Sequence, residues 1–79
     1  MAQDERTGQV VRIPTDRETG KRRGFAFAKD DENGVEYFFH ATGLRGGSRG
    51  FDHLREGDRV RYVVEPGAKG PRAADVTTI

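Results

Sequence analysis

The sequence predicts an all-β fold in which five short antiparallel strands close into a small barrel. Two features lead there. Eleven glycines are scattered through the 79 residues, which argues against long helices. The short apolar runs between them carry Val, Ile, Phe and Tyr, the residues that suit a pleated, half-buried surface. A chain this short buries only about 60% of the surface it exposes when unfolded, so its core must be thin. Closure into a barrel then buries one face of each strand and leaves no long free edge.

The strands are expected over Thr7–Ile13, Arg22–Ala28, Val35–His40, Asp58–Glu65 and Arg72–Thr78. The first stops at Pro14. Asn33-Gly34 makes a tight turn before the third, and residues 66–70, Pro-Gly-Ala-Lys-Gly, separate the last two. Period-two alternation sorts the faces. Val60, Tyr62 and Val64 share one face of the fourth strand, opposite Arg59 and Arg61. Residues 41–57 hold five glycines and read as a long loop with one helical turn near Phe51–Arg55. Residues 1–6 carry no apolar anchor and are expected to be a disordered tail, which leaves 7–79 as one domain.

Composition narrows the function classes. Charged residues make up 34% of the chain, mean hydropathy is -0.83, and no apolar run approaches the roughly 20 residues of a membrane span. The opening Met1–Arg6 lacks the apolar stretch of a secretory signal, so a cytoplasmic address is expected. There is no cysteine, hence no disulfide scaffold and no thiolate zinc site. His40 lacks a credible nucleophile, since there is no cysteine and Ser48 is alone in a Gly-rich segment, and His53 reads as a surface residue. No phosphate-cradling Gly-Lys-Ser/Thr motif is present. The expectation is therefore a binding protein without catalytic residues, metal or cofactor.

The second strand breaks the usual pattern. Gly24, Ala26 and Ala28 alternate with Arg23, Phe25, Phe27 and Lys29. Were the phenylalanines the buried face, two unpaired cations would bound it, at a high desolvation cost. The opposite assignment exposes two aromatic rings between two cations. Bases stack on rings and phosphates meet cations, so such a strip suits single-stranded nucleic acid. Phe38 and His40 alternate together on the third strand, opposite Tyr37 and Phe39. Antiparallel pairing of the two strands would join Phe25, Phe27, Phe38 and His40 into one platform. Net charge is only +1, but residues 12–29 hold six cations (Arg12, Arg17, Lys21, Arg22, Arg23, Lys29) against Asp16 and Glu18. Lys21-Arg22-Arg23 reads either as a solvated hairpin end or as a clamp for phosphates leaving the platform. Arg45–Gly50 reads either as a short Arg-Gly segment in loose contact with nucleic acid or as a plain flexible loop.

Four motifs, in order, carry a resemblance. Arg23-Gly24-Phe25-Ala26-Phe27 matches the RNP1 form Lys/Arg-Gly-Phe-Gly/Ala-Phe. Tyr37-Phe38-Phe39-His40 resembles the RNP2 element of the cold-shock domain. Residues 50–60 and the Gly-Pro-Arg-Ala-Ala-Asp-Val run at 70–76 resemble two further segments of that family. The rival RNP-bearing fold needs two helices that this chain has no room for. The resemblance implies a five-stranded antiparallel OB-type barrel that binds single-stranded RNA or DNA with low sequence specificity. It further implies base stacking by Phe25, Phe27, Phe38, His40 and Phe51, backbone contacts from Arg23 and Lys69, and a core of Tyr37, Phe39, Val60, Tyr62, Val64 and Val76. An RNA chaperone of this kind traps the open strand without ATP, or acts in regulating transcription or translation. A monomer is expected, with strand exchange into a dimer left open.

Three departures stand out. The family's Trp-Phe pair in strand one is Arg12-Ile13 here, Ala41 replaces the aromatic after the RNP2 histidine, and the loop 14–22 is longer and basic. Two stacking positions are lost, each worth about 1–3 kcal/mol, unless the Arg12 guanidinium stacks instead. Weaker and more salt-dependent binding is expected. A protein-interaction module that has lost strong nucleic-acid binding is the competing reading.

Overall fold

The computed structural model describes residues 5–68 and 70–79 of the chain. Five strands, β1 (Glu5–Arg12), β2 (Phe25–Asp30), β3 (Glu36–His40), β4 (Arg59–Gly67) and β5 (Gly70–Thr78), form a closed barrel in the order β1-β2-β3-β5-β4, sealed by β4 against β1. Neighbours are antiparallel except β3 and β5, which meet in parallel at Phe38 and Arg72. The sheet is thus mixed rather than wholly antiparallel. A 3₁₀ turn (Ala41–Gly43) and one short helix, α1 (Gly47–His53), connect β3 to β4.

The core follows the alternation. Ala26 and Ala28 of β2, Tyr37 and Phe39 of β3, Val60 and Tyr62 of β4, and Val10, Ala73 and Val76 are buried, with Val64 and Ile13 packed partly against them. Ala26 and Phe39 are directly opposite across β2 and β3, as are Ala28 and Tyr37. Small residues on one strand make room for large rings on the next, as a narrow barrel requires.

Two irregularities re-aim side chains. Asp75 takes a positive φ of 50°, and the β4–β5 register slips there, so Ala73 and Val76 both point inward although they are an odd number apart. In β1 the register slips between Val10 and Arg12: Val10 is opposite Ala28, and Arg12 is opposite Phe27. Simple alternation would have sent Arg12 inward with Gly8 and Val10; the bulge turns it outward.

The second strand spans Phe25–Asp30 rather than Arg22–Ala28, and two further segments differ from expectation. The first strand begins at Glu5, because Glu5 and Arg6 pair with Val63 and Tyr62 of β4. The expected tail therefore loses its last two residues to the barrel; residues 1–4 lie outside the described residues. The 41–57 segment is not an open loop. Leu44, Phe51 and Leu54 are buried, and α1 closes one end of the barrel with them. A thin core has few other ways to cover that end. The Arg45–Gly50 run accordingly enters the helix at Gly47 and is tied down by the Arg45 N–H, which donates to the Val76 carbonyl at 2.8 Å.

Close approach fixes one glycine. A Cβ on Gly8 would stand 2.5 Å from the Lys29 carbonyl oxygen and 3.2 Å from the Tyr62 hydroxyl. Gly8→Ala is expected to cost about 1–3 kcal/mol, the usual range for overpacking. Chemical denaturation of the variant would read this as a lower midpoint with an unchanged slope.

Candidate nucleic-acid interface

The outer face of β2 and β3 carries three phenylalanines. Phe27 is directly opposite Phe38, and Phe25 is opposite His40. All three rings are partly exposed, while Ala26, Ala28, Tyr37 and Phe39 between them face inward. Phe25 and Phe38 lie 5.4 Å apart, centroid to centroid, and tilted by 36°. Phe27 meets each of them edge-on at 6.0 Å. These are favourable aromatic geometries, so the rings hold one another in place. They line an open groove of about 750 Å³ whose far wall is the β4–β5 hairpin with Pro71 and Arg72.

His40 ends β3 on the same face and is exposed. Its Nδ1 accepts a hydrogen bond from the Thr42 backbone N–H at 3.2 Å and sits 3.0 Å from the Thr42 hydroxyl. The ring is thereby oriented, with Nδ1 occupied as an acceptor. Arg23 and Lys29 are exposed at the two ends of the strip.

Arg12 reaches this face because of the β1 bulge. Its guanidinium carbon lies 4.8 Å from the centroid of Phe27, and its Nη2 donates to Glu36 at 3.1 Å. A flat cation thus stands beside the platform. Glu36, which lines the groove and holds Arg12, was not singled out in the sequence; as a polar residue at the strand end it gives no signal there.

Phe51 is the correction among the expected stacking residues. It is only 3% exposed and packs in the core, under the Arg22 guanidinium at 5.7 Å. Its position in α1, three residues before Leu54, turns it inward with that residue. Arg22 also donates to the Phe51 carbonyl oxygen. Lys69 lies outside the described residues.

The acidic cluster at 30–32 sits apart from the platform and locks the barrel seam. Asp30 is 3% exposed. Its carboxylate accepts from the Tyr62 hydroxyl at 2.7 Å, from the Glu32 and Asn33 backbone N–H groups at 2.8 and 3.2 Å, and from Arg6 at 3.3 Å. Burial opposes its ionisation, but these donors outweigh it and hold the carboxyl below its ordinary pKa. Burial, then the bond to Asp30, pushes the Tyr62 hydroxyl well above its ordinary value. Asp31 pairs with Arg59 and accepts from the Thr7 hydroxyl at 2.8 Å, and both hydrogen bonds lower its pKa. Arg6, Arg12, Arg59, Arg61 and Arg72 each face a carboxylate. Among the described residues, the cations of 17–29 and of 45–55 face none.

Among the described residues no three His, Asp or Glu side chains come together to hold a metal, and no helix is long and apolar enough to cross a membrane. Fold and site together define a small OB-type barrel with an aromatic strip on the outer face of its second and third strands. The family described as 'Cold-shock' DNA-binding domain matches residues 18–79. Cold shock-like protein CspA of Vibrio cholerae is 44% identical over 57 residues, covering 72% of this chain and 79% of that protein. Cold shock-like protein CspE of Escherichia coli is 35% identical over 57 residues, covering 72% and 80%. The chain belongs to the cold-shock domain family, a family of nucleic-acid-binding domains.

Proposed function

We propose that this domain binds single-stranded RNA or DNA through Phe25, Phe27, Phe38 and His40, with Arg12, Arg23 and Lys29 meeting the backbone or a base face. The observation that carries this is the contiguous, outward-facing cluster of three phenylalanines bounded by cations. Every base has a π-face, so stacking of this kind tolerates sequence. By holding bases unpaired the domain would shift a hairpin toward its open form, which suits an RNA chaperone or a regulator of transcription or translation acting in the cytoplasm as a monomer.

Arg12 stands where the family's stacking tryptophan is expected, and its tie to Glu36 must loosen for a base to stack on it. Arg12→Trp is therefore expected to tighten oligo-dT binding by about 1–3 kcal/mol, one extra stacked base. Fluorescence anisotropy would show this as a Kd lower by about 5- to 150-fold, together with a shallower salt dependence. A variant no tighter than wild type would mean that the strip ends at Phe27. If no oligonucleotide binds the wild type at low salt, the aromatic face serves a protein partner instead.

A further inference from the structure

The segment joining β1 to β2 is an ordered hairpin arm. Thr15 and Arg22 bridge antiparallel, the Asp16 N–H donates to the Lys21 carbonyl at 2.7 Å, and the Gly20 N–H donates to the Asp16 carbonyl at 2.8 Å. The Asp16 carboxylate accepts from the Glu18 and Thr19 N–H groups at 2.8 and 3.1 Å, which consumes it inside the turn and lowers its pKa. The arm's root is fixed twice: the Arg23 N–H donates to the Pro14 carbonyl at 3.1 Å, and Arg22 is clamped on Phe51 of α1. Arg17 and Lys21 are exposed on it and, among the described residues, face no carboxylate. The arm springs from the end of the platform where Phe25 meets His40. The family match begins at residue 18, within this arm, so β1 and the arm's first half lie outside the matched range.

We propose that this arm is a backbone-binding extension of the platform, with Arg17 and Lys21 holding phosphates of the nucleotides that run past Phe25 and His40. The inference rests on the platform reading above. From Phe25 to Gly20 an extended chain reaches about 16 Å, at roughly 3.3 Å per residue. That adds a few phosphates to the site without adding a stacked base. The ordered turn and the Arg22 anchor pre-place the two cations, so little freedom is lost when they engage. Affinity lost with the missing aromatics is thereby recovered electrostatically, and at the cost of salt sensitivity.

The test is a length series of oligo-dT, from about 4 to about 12 nucleotides, the range OB folds span. It is read by anisotropy for the wild-type chain and for Arg17→Gln/Lys21→Gln. Two phosphate contacts at roughly -0.7 each make the log–log salt slope steeper by about 1.4. Between about 50 and 200 mM salt the wild type should then lose roughly sevenfold more affinity for the longest oligomer than the variant. Both should bind the shortest oligomer alike, and the amides of Arg17 and Lys21 should shift only with the longer ones. Equal salt slopes, or a length gain that survives in the variant, would overturn the arm and leave the platform standing. Failure of every oligomer to bind the wild type would overturn both. Matching thermal midpoints of the two proteins confirm that the variant folds.

Discussion

Phe27→Ala and Phe38→Ala each weaken oligonucleotide binding by about 5- to 150-fold, since a base stacked on an aromatic ring is worth about 1–3 kcal/mol. The two rings are directly opposite and touch, so their losses do not add: the double variant falls short of the product. Neither ring is in the core, so both variants stay folded. Phe51→Ala behaves in the opposite way. Its ring is buried in the same core cluster as Leu44 and Leu54, and removing it costs about 3–5 kcal/mol of stability, as large-to-small core changes do. Anisotropy paired with thermal melting separates the two classes. A Phe38→Ala protein that melts early and binds as tightly as wild type would reverse the assignment of the faces.

Asp30→Ala also carries a large expected loss of stability. It leaves the buried Tyr62 hydroxyl without its acceptor and frees the Glu32 and Asn33 N–H groups and the Arg6 guanidinium. Each unsatisfied buried group costs about 1–3 kcal/mol, so a loss of about 2–4 kcal/mol is expected. That lowers Tm by about 10–30 °C in a domain of this size. Asp30→Asn retains an acceptor for Tyr62 and loses less. The pH dependence has a fixed sign. The folded carboxyl titrates below its unfolded value of about 3.9, so between the two the unfolded chain binds more protons and stability rises with pH. The contribution is complete above about pH 5 and disappears as pH falls through the folded value. Asp31 and Asp16 act in the same direction. Urea midpoints measured from neutral pH down to about pH 3 should show the wild type and Asp30→Asn converging in acid. A constant difference across that range would remove the charge from the explanation.

The strands, their faces and the platform were legible because each rests on local alternation. Asp30 follows Ala26 and Ala28 at spacing two and faces inward with them, but the expected second strand stopped at Ala28 and left it outside the alternation. What alternation could not supply were its own interruptions. The bulge between Val10 and Arg12 reverses the face of Arg12, and the positive φ at Asp75 returns Val76 to the core. A register slip depends on what two strands bury together, which no single strand reveals. Phe51 was misread for a related reason. The glycines at 43–50 signal a loop, but the open barrel end outweighs their poor helix propensity and draws Phe51 and Leu54 inward. The hairpin arm is held by Asp16 and Arg22, one bonded within the turn and one reaching α1. The second of these contacts spans distant parts of the chain and leaves no mark on local pattern.

The most direct test of the platform is a proton–nitrogen chemical-shift titration with short oligo-dT, then oligo-U, at low and moderate salt. Shifts confined to residues 23–29 and 38–40 and to Arg12, fading as salt rises, are the predicted result. The sugar giving the larger shifts at equal concentration is the preferred one. Absence of shifts at low salt, or shifts centred on another face of the barrel, would contradict the account.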